Sequence, residues 1–563
     1  MKEVWGLIPK EYRRGCLRVA VLVPVKAVLD LVGVAALLPV MLLVLDPAKL
    51  QDSVLGRFAQ VVNCPIDGNF TLFVILAVIL VLLIKTLLSL LIINYQNRFL
   101  MGLYRNLSSR LFVSLYSRGL LYIKNQNSSR MAFNVIGVCH NFVMGYLGGW
   151  MHLFGELAFV VLLLTALMIY SPRATLMAVC AFIPVVLLYV LVVRKPLNSM
   201  SRKENEARRE QNKLLYETFR GYSEVQINDA FPGIQKRFSD GLSNISDFRI
   251  RTSLLQSIPS YLLELSVVAI VAVMMLFGLD AKNPENVLFL GIFAVSLLKL
   301  LPTVRSIIGS ISALNVTEYT KEVISDIKTP AVFKALHDDK VKPMSFEREI
   351  KVDNVTFAFE DEETPVIKSM NFSIAKGLRF GIKGRTGAGK TTLFNILLGL
   401  YPPTSGAVRV DGVELGVDNL PSWHKIIGYV PQEVFVADTT ILENVALGFK
   451  SSGIDREKVE EALQQASLLD FVKSLPNGLD TMIGEAGCKM SGGQRQRLGI
   501  ARALYKDASV LFFDEATSSL DTQTEMEVNQ AIQDLSDNHK ELTIIVISHR
   551  DTTLSFCDEI LEL

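Results

Sequence analysis

Six stretches of this 563-residue chain are apolar over lengths that suit a lipid bilayer: residues 16–45, 70–97, 131–170, 172–193, 253–279 and 286–311. About 20 residues of helix cross a hydrocarbon core, and a helix satisfies its own backbone there. All six lie in the first 330 residues, whereas the remainder has the charge density of an ordinary soluble α/β domain. The expected fold is therefore multi-domain. An all-α six-helix transmembrane domain occupies residues 1–327, a linker with Pro330, Pro343 and mixed charges occupies 328–349, and an α/β domain occupies 350–563.

Six crossings place both termini on one side. Segment 98–130 carries Arg98, Arg105, Arg110, Arg118, Lys124 and Arg130 without an acid, which makes that side cytoplasmic. Segment 194–251 is also basic and keeps helical periodicity through Leu214, Leu215, Thr218, Phe219 and Tyr222. Both segments are expected to extend as helices beyond the membrane, with turns near 121–128 and 221–231 meeting the soluble half. Residues 48–62 have Leu50, Val54, Leu55, Phe58, Val61 and Val62 at helical spacing, which fits either an interfacial helix or a packed connector. The N-terminal residues mix basic groups with Glu3 and Glu11 and show no small-residue cleavage site, so they are expected to be retained. A net charge of +1 argues against nucleic acid as a partner, and six scattered cysteines form no ligand or disulfide pattern.

The chemistry begins at Gly384, Arg385, Thr386, Gly387, Ala388, Gly389, Lys390 and Thr391, with Thr392 following. An apolar run, 378–382, precedes them and an apolar-periodic segment, 393–400, follows, so the order is strand, glycine loop, helix. Gly, four residues and Gly-Lys-Thr is the spacing of a P-loop, in which backbone N–H groups and a helix N-terminus face phosphate oxygens. Lys390 would reach the terminal phosphates, and the Thr391 hydroxyl would hold Mg2+. Further on, the apolar run 510–513 ends in Asp514 and Glu515. A buried parallel strand delivers such residues at its C-terminal edge, where α/β sheets bind nucleotides. Asp514 would serve the metal and Glu515 would polarise an attacking water. Between these motifs, Ser491, Gly492, Gly493 and Gln494 open a helix and form a second phosphate-directed N-terminus. Two such ends in one domain suggest that each serves a different copy of the site.

In order and spacing these motifs resemble those of ATP-binding-cassette exporters, and the resemblance covers essentially the whole chain. It implies that 384–391 is the Walker A motif and that 490–494 is the signature motif, with Met490 where Leu is usual. By the same resemblance Gln432 is the glutamine that senses magnesium, and 484–487 is the exporter loop before the signature. Asp521 ends the D-loop, and His549 is the switch histidine at the terminal phosphate. Phe359 stands where an aromatic, more often Tyr, stacks on adenine. The family also implies a half-transporter working as a head-to-tail homodimer. ATP and Mg2+ would be clamped between Lys390 of one copy and Ser491 of the other, with closure and hydrolysis driving alternating access. The chain ends at Leu563 after a strand-like run, where such exporters usually continue into a turn and short helix.

Specificity must reside in the membrane half. Lys26, Asp30, Lys85, Glu156, Glu264, Lys299 and Arg305 fall at membrane depth, where charges are costly unless paired or lining a wet cavity. For each, an internal ion pair or a snorkelling end competes with a place on the transport path. Residues 28–39, the possible external helix and 156–170 are similar to the flippases of lipid-linked oligosaccharides. The expected function is ATP-driven export or flipping of an amphipathic substrate, a lipid-linked glycan or other lipid, in the bacterial inner membrane. A general drug or peptide exporter is the alternative within the class. An ATP-gated channel or regulatory membrane protein is the alternative outside it, weakened by an intact Glu515.

Overall fold

The computed structural model describes residues 2–40, 68–170, 172, 175–176, 194–276, 284–327, 341–359, 364–385, 387–449, 453–484, 490–515 and 522–563. They group into two compact units, Met1–Phe112 with Ser128–Lys328, and Val113–Asn127 with Thr329–Leu563.

The first unit is built, among the described residues, from six long helices: α1 (Lys10–Ala35), α2 (Gly68–Tyr116, through Phe112), α3 (Gly148–Tyr170), α4 (Arg194–Arg220), α5 (Phe231–Leu276) and α6 (Pro284–Thr317). Leu72, Leu76, Leu80, Leu83, Leu87, Leu90 and Leu91 of α2 are each more than half exposed. A stripe of exposed leucines this long faces hydrocarbon rather than water. Among the described residues, Lys10–Val40, Thr71–Tyr116 and Asn141–Ile169 are long and apolar enough to cross a membrane. The expected fourth crossing lies almost wholly outside the described residues, as does the possible interfacial helix at 48–62.

α2 runs on to Tyr116, well past its apolar part, and α4, joined to α5 by the short helix Tyr222–Ile227, packs directly along it. α1 and α6 both pack on α3. Ahead of α3 the chain makes two π-helical segments, Asn134–Val138 and Asn141–Leu147. Gly145 in the second allows α6 to approach, since a Cβ there would lie 2.5 Å from the Thr317 methyl.

The second unit has two sheets. Strands β1 (Glu349–Phe357), β2 (Ile367–Ala375), β4 (Ser405–Val410) and β5 (Val413–Glu414) form an antiparallel sheet of order β2-β1-β4-β5. Burial does not alternate simply along β1. A register shift between Val352 and Val355, with Asn354 at φ 52°, buries both valines despite their odd spacing, and Phe359 follows the strand's end.

The remaining strands, β3 (Arg379–Lys383), β6 (Ile427–Val430), β7 (Val510–Asp514), β8 (Thr543–Ile547) and β9 (Glu559–Glu562), form a parallel sheet of order β6-β7-β8-β3-β9. Every residue of β7 and β8 is buried, as expected for strands covered on both faces. Within this unit the short helix Gly119–Asn125 belongs with the core, where Leu120 and Leu121 pack partly buried among its hydrophobics.

Trp423 is fully buried in that core, donating from Nε1 to the Leu397 carbonyl at 3.0 Å. Trp423→Ala leaves a large cavity and an unpaired carbonyl, a loss of about 3–5 kcal/mol. Thermal unfolding of the full chain should show the second unit's transition lowered by about 10 °C. Trp423→Phe, which keeps a ring, should cost less than half as much.

Candidate functional site

β3, β7 and β8 are adjacent and parallel, with Ile547 of β8 opposite both Ile382 of β3 and Asp514 of β7. Their C-terminal ends are therefore level, and three loops leave the sheet side by side. β3 delivers the glycine loop, β7 delivers Asp514 and Glu515, and β8 delivers Ser548 and His549. β6, paired with β7 through Val430 and Phe513, brings the Gln432 loop to the same edge.

The glycine loop leads into α7 (Lys390–Leu397), with Gly387 at φ 85° and Gly389 at φ 93°. A Cβ on Gly389 would also lie 2.9 Å from Ile367 Cδ1, so this position tolerates only glycine. Lys390 is 6% exposed, and its Nζ donates to the Gly384 and Arg385 carbonyls at 3.0 and 3.1 Å. Ala388 is half-buried beside it, its N–H donating to the Arg385 carbonyl at 3.1 Å. Thr391 is exposed and Thr392 half-buried at the helix start, while Thr386 is outside the described residues.

Glu515 takes φ 47°, the left-handed region that side chains avoid, and its N–H donates to the Ile547 carbonyl at 3.0 Å. The carboxylate meets two loops at once. Its Oε1 lies 2.9 Å from His549 Nε2, and its Oε2 accepts from Gln432 Nε2 at 3.4 Å. Gln496 in turn fastens the Gln432 loop, donating to the Gln432 carbonyl at 2.7 Å.

Asp514 is 7% exposed. Burial, reinforced by the charge of Glu515, pushes its carboxyl up to about 6, against the opposing pull of Lys124, the Tyr429 hydroxyl and Lys390. A carboxyl whose native pKa is raised contributes its stability when protonated and loses it as pH rises through that value. Ionised Asp514 therefore destabilises the nucleotide-free protein at pH 7.5. Asp514→Asn should stabilise it there by about 2 kcal/mol while abolishing ATP turnover. The gain should shrink below pH 6 and vanish near pH 4, which thermal unfolding across that range would show.

Ser491 caps α8 (Gly492–Tyr505). Its Oγ accepts from the Gln494 N–H at 3.3 Å and its own N–H donates to Gln494 Oε1 at 2.8 Å, a reciprocal capping box. Gly493 is buried in the first turn. Met490 is 7% exposed within the hydrophobic core, so an apolar residue of either shape suits that position. Phe359 is half-buried and edge-on to Phe357 and Tyr401, at 5.1 and 6.2 Å between ring centres. Asp521 and residues 485–489 lie outside the described residues.

Three features of the site went unread in the sequence. Tyr429 bonds to Asp514, Gln496 holds the Gln432 loop, and the His549 loop is fastened to α9 (Thr522–Asn538). That last attachment is made by buried Glu525, which pairs with Arg550 and accepts from Thr552 Oγ1 at 2.9 Å. Only the capping box had a sequence signal, Ser491 followed three residues later by Gln494.

Residues 40–296 match the ABC transporter transmembrane region family, and residues 367–518 match the ABC transporter family. The ATP-dependent lipid A-core flippase of Pseudomonas fluorescens is 30% identical over 82% of this chain and 76% of its own length. The chain belongs to the ABC transporter family. This transporter is likewise 30% identical to the ATP-dependent lipid A-core flippase of Vibrio cholerae, over 71% of this chain and 68% of that one. Its fold is that of a bacterial Atm1-family ABC exporter solved with ATP bound, at a TM-score of 0.72 and 24% identity, covering 98% of this chain and 94% of the other. The transporter is thus a multi-pass membrane protein whose α/β unit binds ATP and couples its hydrolysis to transport.

Proposed function

We propose that this transporter flips an amphipathic lipid, a lipid-linked glycan or related glycolipid, between the leaflets of a bacterial inner membrane. It works as a homodimer with both termini in the cytoplasm. The observation that carries the reading is the meeting of Glu515, His549 and Gln432 beside the glycine loop, in a chain whose relatives are named as lipid A-core flippases.

In this reading the N–H groups of Gly384 to Thr391, with Lys390, hold the ATP phosphates, and Phe359 receives the adenine. Thr391, Asp514 and Gln432 would hold Mg2+. A hydroxyl, one buried carboxylate and an amide are few and hard donors, which suits an ion that shares its shell with phosphate and water. Bound there, Mg2+ supplies charge neutralisation at the phosphates. Glu515, oriented by His549 and Gln432, accepts the proton of the attacking water, while His549 keeps Nε2 at the carboxylate and faces the terminal phosphate. Ser491, Gly492, Gly493 and Gln494 of the second copy close the site from the other side, with Asp521 between the two.

ATP turnover of the full chain in lipid tests the reading. Selective stimulation by a lipid-linked oligosaccharide, over plain phospholipid and hydrophobic peptides, is expected. Stimulation by peptides or drugs alone would replace it with a general exporter, and Glu515-independent or absent turnover would favour a gated or regulatory protein.

A further inference from the structure

Within the membrane unit, α1, α2 and α3 line a partly open cavity of about 140 Å³. Its polar lining is Lys26, Asp30, Gln96, Asn97, His152 and Glu156. One of its charges is already matched, since Asp30 Oδ1 lies 2.7 Å from Lys85 Nζ. The Lys85 stem reaches it across Gly33, where a Cβ would sit only 3.4 Å from Lys85 Cε. Lys26 and Glu156 differ. Both are half-buried, and among the described residues neither makes a hydrogen bond or an ion pair. His152, one turn from Glu156 on α3, lies within electrostatic reach of both.

Charges of opposite sign left unmatched at membrane depth are costly unless a ligand or water completes them. The position of the cavity limits which ligand can do so. Asn97 is the last residue of an apolar crossing, and Arg98 opens the basic segment, so the cavity lies toward the headgroup level of that leaflet. Lys85 lies about 18 Å further along α2, at the deep end. The small volume and the charged lining suit one compact headgroup.

We propose that this cavity binds the zwitterionic headgroup of a membrane phospholipid, its phosphate at Lys26 and its ammonium at Glu156, with Gln96 and Asn97 on the remaining phosphate oxygens. Being complete within one chain, the site needs neither ATP nor the cargo named above. A charge-assisted contact at each end distinguishes this headgroup from an anionic one of similar size, because Glu156 repels a headgroup that lacks the ammonium.

The test is native mass spectrometry of the full-length protein equilibrated with equal amounts of phosphatidylethanolamine and phosphatidylglycerol. The intact protein should retain phosphatidylethanolamine about tenfold over phosphatidylglycerol. Glu156→Gln should bring the ratio close to one, and Lys26→Gln should remove retention of both lipids. Glu156→Asp, which keeps the carboxylate, should restore the preference and so separate loss of charge from loss of structure. A preference for phosphatidylglycerol in the intact protein, or a ratio unchanged in Glu156→Gln and Lys26→Gln, would overturn the proposal.

Discussion

Glu515→Gln should lower ATP turnover by about 10²–10⁴-fold, the usual contribution of a positioned general base. ATP affinity should stay within about twofold, since the substitution removes one proton acceptor and leaves the phosphate-facing loop unchanged. The amide is nearly isosteric, so it retains contacts with His549 and Gln432 while losing the basicity that the geometry is arranged to use. Phosphate release and binding of a fluorescent nucleotide, measured on the same preparation, separate the two effects. Turnover within tenfold of the native protein would remove Glu515 from the chemistry.

Lys390→Ala should act at the earlier step and weaken ATP binding by about 2–4 kcal/mol, roughly 30- to 1000-fold. Nζ is buried at the mouth of the glycine loop and already bridges the Gly384 and Arg385 carbonyls. The substitution therefore removes the phosphate partner and leaves two carbonyls facing the site. Lys390→Arg should not rescue, because a planar fork cannot occupy the space of a compact ammonium. Equilibrium nucleotide binding is the measurement, and a loss below threefold would show that the loop N–H groups suffice alone.

The long helices were legible because apolar length is a one-dimensional signal: α2 reads as a crossing from residue 70 onward whatever surrounds it. The glycine loop, Asp514 and Glu515 were legible for a different reason, since their spacing mirrors the order strand, loop, helix that level parallel strands require. What escaped depends on contacts between distant residues. The bulge in β1 appears only when β2 pairs with it, and the π-helical turn at Gly145 only when α6 packs there. Neither the Glu525–Arg550 pair nor the Tyr429–Asp514 bond has a local pattern, because each joins elements that the sheet brings together. Lys26 and Glu156 could be recognised as costly, but their sharing of a cavity required three packed helices.

The central claim, that hydrolysis at this site moves a lipid across the bilayer, is tested most directly in sealed proteoliposomes carrying a labelled lipid-linked glycan. The expected result is ATP-dependent transfer of the labelled headgroup to the opposite leaflet, absent with Glu515→Gln and absent with ADP. Equal transfer by the native protein and Glu515→Gln, or robust ATP turnover with no movement of any lipid tested, would contradict it.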